Sequence, residues 1–476
     1  MTWRGLASAA LLLLSAARVD AQARVVPEPG APPRRPRAVP APQNPRARRV
    51  PAPPATPPSR TPAPTRRSVA VPRAVAPPPA AAQAPAGDIA VTLITFGTGE
   101  AVWERFGHNA LWIHDRRAGS DIAYNWGLFD FEQPGFFRRF LTGDTRYWMA
   151  GEDAYAMISA YQAAGRPVTL QRLNLTAEQA RSLNEFVQYN AREENKFYRY
   201  DYFRDNCSTR LCDAVDRALG GALRAATDTM RTALTYRGES VRLTEGQRPV
   251  QTGIDIALGR PADAPLSAWE SFFIPMRLRD AVRIVSIPSA GGAMVPLVAD
   301  ERLLEVPAGA RPVVEARTPP DHTRRNLIAG AVLGLLAAVL GLFARSQRWA
   351  AWLLTLIGMG WSLVTGVLGV ILLLAWLVTK HDFWDQNENL LLFSPLSLLL
   401  VVLLPAALLA RRAVGRARTI GFLVAVMALV ALALSMRPGG QPNQSIVALI
   451  LPMHLALLWA LSSTPRSSRS APATGR

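Results

Sequence analysis

The chain has 476 residues, and its 53 lysines and arginines against 35 acidic residues give a formal charge of +18. Such a charge suggests an anionic partner, either a nucleic acid or a membrane surface. However, +10 of it comes from residues 24–87, which hold 11 arginines, 20 prolines and a single acid, Glu28. This segment has no aromatic residue to stack on bases, so we predict no nucleic-acid partner and interpret it as a disordered, partly polyproline-II tether.

Residues 1–23 have the pattern of a secretory signal peptide, with Arg4, an apolar run over 6–17 and small residues at 21 and 23. The apolar run is too short to span a bilayer. The remainder is therefore predicted to start outside the cytoplasm, in an oxidising compartment. The two cysteines, Cys207 and Cys212, lie five positions apart on one predicted helix, roughly 140° around its axis, and cannot bridge.

Residues 88–300 have ordinary globular composition and are enough for one well-buried domain. Segments rich in β-branched and aromatic residues predict strands, and capped amphipathic segments predict helices. The predicted strands are 90–97, 108–115, 121–127 and 167–175, and the predicted helices are 177–191 and 208–219. Because strands and helices do not alternate strictly, we predict an α+β domain, with residues 301–325 as the linker to a membrane part.

Five apolar segments follow, at 326–344, 349–379, 390–410, 419–436 and 445–462. They predict an all-α bundle of about five transmembrane helices. The loops after the first and third segments are rich in arginine and are predicted to be cytoplasmic: Arg345, Arg348, Arg411, Arg412, Arg416 and Arg418. The protein is thus predicted to be multi-pass in the inner membrane, with residues 88–300 in the periplasm and a cytoplasmic tail at 463–476.

Several polar residues of the membrane half have roles that the sequence leaves open. His381, Asn387 and Asn389 fall in a loop on the same side as the periplasmic domain. His454 lies within the last apolar segment, where a histidine is costly in lipid. It either marks a functional cavity or is satisfied inside the bundle.

The residues around Cys207 form the sharpest local motif. Cys207 begins a predicted helix, where unpaired N–H groups and the helix dipole favour a reactive thiolate. The alternative is a small buried hydrophobe, which is our interpretation of Cys212. His108, which follows Gly107 at the start of a strand, is the predicted base, whereas His114 has the surroundings of a turn residue.

No third ligand lies at metal spacing from His108 and His114, and no phosphate- or dinucleotide-binding fingerprint is present, so we predict no metal and no cofactor. A third group usually orients the base. Asn125, on the next strand, is the natural candidate, with Asp130 as the alternative. The residues beside these groups are weaker candidates for substrate binding: Tyr124, Arg204, Asn206, Ser208 and Arg210. Each arginine can meet a lipid phosphate or pair with a nearby acid.

Several stretches of the chain resemble a bacterial domain family. They are LITFG at 93–97, WERFGHNA at 103–110, YNWGLFDF at 124–131 and YDYFRDNCSTR at 200–210, with weaker matches at 259–263 and 269–275 and, in the membrane half, NENL at 387–390 and SPL at 394–396. The family is named for the periplasmic domain of a second type of lipoprotein N-acyltransferase. The order of His and Cys is also similar to permuted papain-like enzymes such as the lecithin–retinol acyltransferases, in which Cys takes an acyl chain from a phospholipid.

The resemblance implies a permuted papain-like domain with Cys207 as nucleophile and His108 as base. It implies an acyltransferase that uses membrane phospholipid as donor and the N-terminal amine of a diacylated lipoprotein as acceptor. Two other functions stay open on the residues alone. One is a membrane-anchored cysteine peptidase or amidase that acts on cell-wall peptide, and the other is a non-catalytic envelope module.

Overall fold

The computed structural model describes residues 87–464 apart from 290, 291, 308, 309 and 311. The predicted signal peptide, nearly all of the predicted tether and the tail beyond Thr464 lie outside the described residues. Within them, the expected fold class is confirmed: an α+β domain with a single large sheet is followed by a helical membrane domain.

A seven-stranded antiparallel sheet organises the first domain, in the order β6-β4-β3-β2-β1-β5-β9. The four predicted strands are all present, and the others were not predicted. In chain order the strands are β1 Ile89–Phe96, β2 His108–Asp115, β3 Ser120–Leu128, β4 Tyr147–Asp153, β5 Val168–Leu173, β6 Phe197–Tyr198, the small hairpin β7 Ser286–Pro288 and β8 Met294–Pro296, and β9 Val298–Leu304. The edge strand β9 runs past residue 300, the predicted end of the domain.

Helices cover both faces of this sheet because residues along its central strands alternate between two buried sides. On one side Leu111 and Trp126 pack against Leu211 and Val215, and on the other Phe96 and its neighbours pack against Ile158. The helices of the domain are α1 Phe136–Thr142, α2 Ala154–Ala163, α3 Ala177–Asn190, α4 Cys207–Ala218, α5 Ala222–Thr227, α6 Tyr236–Leu243, α7 Arg248–Ala257 and α8 Pro275–Val282.

The membrane half contains α9 Thr323–Phe343, α10 Arg348–Val378, α11 Ser397–Leu408, α12 Val414–Ser435 and α13 Gln444–Ser462. In the described part of the chain, four of these are long and apolar enough to cross a membrane, and α11 is a shorter apolar helix. All five predicted segments are therefore helical. Glycines allow close packing, since a Cβ at Gly330 would lie 2.4 Å from Ala448 O on α13.

The third segment differs from the prediction of one helix over 390–410. A short 3-10 helix, Glu388–Leu391, comes first, and α11 begins only at Ser397. Pro395 has no N–H to donate and disfavours helical dihedrals at Ser394, which separates the two pieces. The bend packs closely on α10, where a Cβ at Gly369 would lie 1.9 Å from Phe393 O.

Side chains of the membrane half hold the end of α7. Asn387 Nδ2 donates to the carbonyls of Ile256 and Ala257 at 2.8 and 2.9 Å, and Asn389 Nδ2 donates to Asp255 O and Ile256 O at 3.3 and 3.1 Å. The last carbonyls of a helix have no partner within it, so these amides act as its C-terminal cap. The two domains are thereby joined through the main chain of α7.

Candidate active site

Cys207 is the first residue of α4 and lies under the sheet, only 9% exposed. Asn206 caps the helix, because its Oδ1 accepts the N–H groups of Ser208 and Thr209 at 2.9 and 3.0 Å. Asn206 Nδ2 donates to Tyr202 O and Phe273 O, so both ends of this amide are engaged in the fold. The cap does not take up the N–H of Cys207 itself.

The sheet comes closest to Cys207 at Gly127 and Asn109. Gly127 has a φ of +92°, and a Cβ there would lie 3.1 Å from Cys207 Cβ. The N–H of Asn109, the residue after His108, acts to lower the pKa of the Cys207 thiol. The side-chain Nδ2 of Asn109 donates to Ser208 Oγ at 3.0 Å. The start of α4 is thus fixed against the strand that carries His108.

His108 Nε2 lies 3.3 Å from Asn125 Oδ1. Asn125 Nδ2 faces Ala150 O at 3.5 Å, which orients the amide with its oxygen towards the imidazole. Since that oxygen only accepts, His108 carries its proton on Nε2 and keeps the lone pair of Nδ1 free. Asn125, and not the alternative Asp130, is therefore the residue that holds His108. Asp130 instead accepts the N–H of Glu132 at 2.8 Å.

Burial disfavours the charged form of both ionisable groups in the site. Burial raises the pKa of the Cys207 thiol to about 11, although hydrogen bonds from the N–H groups of Asn109, Ser208 and Cys207 and the charge of Arg166 act in the lowering direction. Burial, followed by the charge of Arg166, lowers the pKa of His108 to about 4, against the raising effect of the Asn125 bond. The N–H groups at the helix start thus favour the thiolate as expected, and burial opposes it.

Arg166 is a site residue that the sequence reasoning missed. It is 5% exposed, donates through Nε to Gly97 O at 2.9 Å and lies 3.7 Å from Glu104. Its guanidinium lies 4.6 Å from the ring centroid of Tyr161, which is parallel to the His108 ring at 6.1 Å. Its Nη2 is buried and has no hydrogen-bond partner among the described residues. A Gly-Arg-Pro turn carries no local signal that the arginine is buried; only the fold brings it beside His108.

The weaker substrate candidates have separate surroundings. Ser208 is fully buried against Asn109, and Tyr124 lies mid-strand, opposite Leu111 and Gly151. Arg210 pairs with Asp205, with Nη2 and Oδ2 at 2.8 Å, which is the ion-pair alternative considered above. Arg204 faces the membrane domain, 3.5 Å from Asp382.

The remaining histidines are engaged elsewhere. His114 contacts Asp121 at 2.7 Å, and His322 contacts Gln251 Oε1 at 2.9 Å. His381 donates to Phe140 O at 2.9 Å, and His454 donates to Leu392 O at 3.1 Å inside the bundle. Among the described residues, no group of three or more His, Cys, Asp or Glu side chains could hold a metal ion.

The fold and this site define a membrane-anchored protein whose periplasmic domain places the buried Cys207 against the strand that carries a His108–Asn125 pair. Two family models match the chain: the Lnb N-terminal periplasmic domain over residues 78–236 and the Lnb transmembrane domain over residues 327–464. The chain belongs to the Lnb family. Comparisons with curated proteins and with solved structures returned no match.

Proposed function

We propose that this protein is an acyltransferase of the inner membrane that moves an acyl chain from a phospholipid to the N-terminal amine of diacylated lipoproteins, through a thioester on Cys207. The observation that carries the proposal is the hydrogen bond between His108 Nε2 and Asn125 Oδ1, because it leaves Nδ1 as a base on the strand against which Cys207 is held. Membership of the Lnb family and the fixed attachment to membrane helices support a lipid donor.

In the first half-reaction, His108 Nδ1 takes the thiol proton while Cys207 Sγ attacks the ester carbonyl of the phospholipid. The carbon–oxygen bond breaks, and the imidazolium returns the proton to the departing alkoxide. The products are a lysophospholipid and an acyl-thioester. The N–H of Cys207 is the proposed donor to the oxyanion, because the Asn206 cap already uses the N–H groups of Ser208 and Thr209.

In the second half-reaction, the neutral α-amine of the lipoprotein attacks the thioester carbonyl and loses a proton to His108. The carbon–sulfur bond breaks, and the proton passes to Cys207 as the amide is released. Both halves run between neutral groups, which suits a site that is buried from water. Arg166 is buried, and its positive charge acts on the thiol. In our proposal it stabilises the negative charge that forms on the sulfur when the thioester is made and when it is cleaved.

The test is mass spectrometry of lipoprotein N-termini from a strain depleted of its own N-acyltransferase. Triacylated termini are expected with the unchanged protein and with Cys212→Ala, and diacylated termini with Cys207→Ala. Cys212 is the matched control because it lies on the same helix and is 1% exposed.

Diacylated termini with the unchanged protein, at normal levels in the membrane, would overturn the proposal. Release of cell-wall peptides that depends on Cys207 would then identify the protein as a peptidase or amidase. Triacylated termini with Cys207→Ala would instead rule out the thiol as nucleophile.

A further inference from the structure

A contiguous apolar face lies on the surface of the periplasmic domain around α1. Its members are the exposed side chains of Trp103, Phe131, Phe137, Phe140 and Leu141. Trp103, Phe137 and Leu141 are 51%, 50% and 56% exposed. Large apolar residues at such exposure are ordinary one at a time, but a connected group of them marks an interaction surface.

Ring contacts show that the members of the apolar face are connected. Trp103 and Phe131 have ring centroids 5.8 Å apart, and Phe131 contacts the buried Phe136 at 5.1 Å. Phe136 in turn contacts Phe137 at 5.6 Å and Phe140 at 6.1 Å. Leu141 lies one turn beyond Phe137 on the same helix. The face is therefore one surface built on a seven-residue helix and the loops beside it.

The C-terminus of α1 is bound to the outer end of the membrane helix α10. Lys380 N donates to Thr142 O at 2.9 Å, and Lys380 Nζ donates to Asp144 at 2.9 Å. His381 Nε2 donates to Phe140 O at 2.9 Å, and Arg199 donates to Lys380 O at 2.7 Å. The position of the apolar face along the membrane normal is consequently set by the point at which α10 ends.

The apolar surface of α10 continues to this same point. Leu377 and Val378, its last residues, are 69% and 66% exposed. A helix of 31 residues is about 46 Å long, more than the roughly 30 Å of the hydrocarbon core, so it is long enough to carry Leu377 and Val378 to the boundary between acyl chains and headgroups. Arg138 and Arg139, on α1, supply positive charge where lipid phosphates lie.

We propose that the apolar face rests in the outer leaflet of the membrane, among the acyl chains of the phospholipids that surround the end of α10. The bonds that hold the end of α1 to the end of α10, next to the exposed Leu377 and Val378, identify lipid as its occupant. Contact with the leaflet does not depend on acyl transfer, so the proposal stands or falls separately from the proposed reaction.

The test is the depth of a fluorescent label in the full chain, reconstituted in phosphatidylethanolamine–phosphatidylglycerol vesicles. An NBD group is placed on Phe137→Cys or Leu141→Cys in a Cys207→Ala chain, while the buried Cys212 is kept. Leu377→Cys is the lipid-embedded control. Leu303→Cys is the water-exposed control, since it is 67% exposed on β9, at the opposite edge of the sheet from β4 and β6.

Doxyl groups on lipid acyl chains are expected to quench positions 137 and 141 nearly as strongly as position 377, and iodide is expected to quench only position 303. Quenching of 137 and 141 by iodide, with no response to doxyl lipid, would overturn the proposal. Because a label can itself enter lipid, the unmodified chain is also reconstituted with a phospholipid that carries a diazirine on its acyl chain. Cross-links within residues 131–141 are expected, and their absence, with cross-links present on α10, would equally overturn it.

Discussion

Gly127 and Cys207 are in direct contact across the boundary between the sheet and helix α4. A Cβ on Gly127 would lie 3.1 Å from Cys207 Cβ, so Cys207 would have to move by a few tenths of an ångström. Gly127 also has a φ of +92°, which a residue with a side chain rarely adopts. The glycine is therefore required both by its own backbone and by the position of the thiol.

Gly127→Ala is expected to lower both the melting temperature and the transfer rate. Gly119→Ala is the matched control, because Gly119 has a φ of +62° and nothing within 4 Å of its added Cβ. Both variants carry a strain of about 1 kcal/mol, but only Gly127→Ala should reduce the rate, by about tenfold, through displacement of the nucleophile. Equal rates in the two variants would show that the contact has no influence on the reaction.

Asn125→Leu is expected to reduce the rate of thioester formation by about 10²-fold, because His108 loses the acceptor that keeps its proton on Nε2. Asn125→Asp retains an acceptor but adds a negative charge, which raises the pKa of His108. As the solution is acidified, the Asp variant should therefore lose its activity at a higher pH than the unchanged protein does. Rates of thioester formation measured from acid to alkaline pH distinguish the two effects. A Leu variant with full activity would remove Asn125 from the site.

The rate of thioester formation is expected to be independent of pH through the neutral range. His108 has its pKa lowered to about 4 and is the neutral base above that value, and Cys207 has its pKa raised to about 11 and stays protonated below that value. The active forms of both groups thus coexist between these two limits. The donor half-reaction is the one to measure, because the acceptor amine titrates separately. An inflection close to pH 7 in that half-reaction would contradict the neutral pair.

Arg166→Met removes a positive charge that lowers the pKa of both His108 and Cys207, so both values are expected to rise. The acid limit of activity should move to higher pH, whereas Arg166→Lys, which retains the charge, should keep it near its original position. Both variants lose the hydrogen bond to Gly97 O, which leaves a buried carbonyl unpaired. That loss lowers the free energy of unfolding by about 1–3 kcal/mol. Thermal unfolding separates that shared structural cost from the change in the pH profile. Identical pH profiles for Met and Lys would exclude an electrostatic role.

Asn387→Ala is expected to loosen the periplasmic domain from the membrane helices, because Ala257 O loses its donor and Ile256 O keeps only the bond from Asn389. The cost is about 1–3 kcal/mol. It should appear as faster proteolysis between α7 and the membrane half at unchanged stability of the membrane helices. Asn326→Ala is the matched control, since its amide donates to Ser445 within the membrane domain. Equal proteolysis of both variants would show that Asn387 does not hold the domains together.

The central strands and the thiol helix were predictable from sequence because their signals are local. Residues 90–97 and 108–115 are rich in β-branched and aromatic side chains, which favour strands. Asn206 is a residue type that is preferred at the N-cap of a helix, where α4 starts. Five other strands escaped prediction, of which β4 and β9 are the longest. β9 lies at the edge of the sheet, and Asp300, Glu301 and Arg302 break any apolar alternation there; β4 ends in Gly-Glu-Asp, a pattern typical of loops.

The electrostatics of the site were not predictable for a different reason. The start of a helix is visible in sequence, but the burial that raises the pKa of Cys207 depends on β2 and β3, about 80–100 residues earlier in the chain. Arg166 is likewise buried by contacts with Gly97 and Tyr161 that only the folded chain creates. The α7 partners of Asn387 and Asn389 lie 130–134 residues earlier in the chain.

At the end of α7, the membrane half contacts the periplasmic domain through main-chain atoms. Asn387, Asn389 and Gln441 all donate to main-chain oxygens of residues 255–258, and a side chain at Gly259 is excluded because its Cβ would collide with the carbonyl oxygen of Asp385. These bonds do not depend on which side chains stand at residues 255–258, but Leu258 is buried in the core and Asp255 pairs with Arg237. A one-residue insertion is not tolerated in the same way, since it turns these carbonyls by about 100° and loses all the bonds at once. If the periplasmic and membrane halves of two related proteins are exchanged, the last turn of α7 therefore has to keep its length.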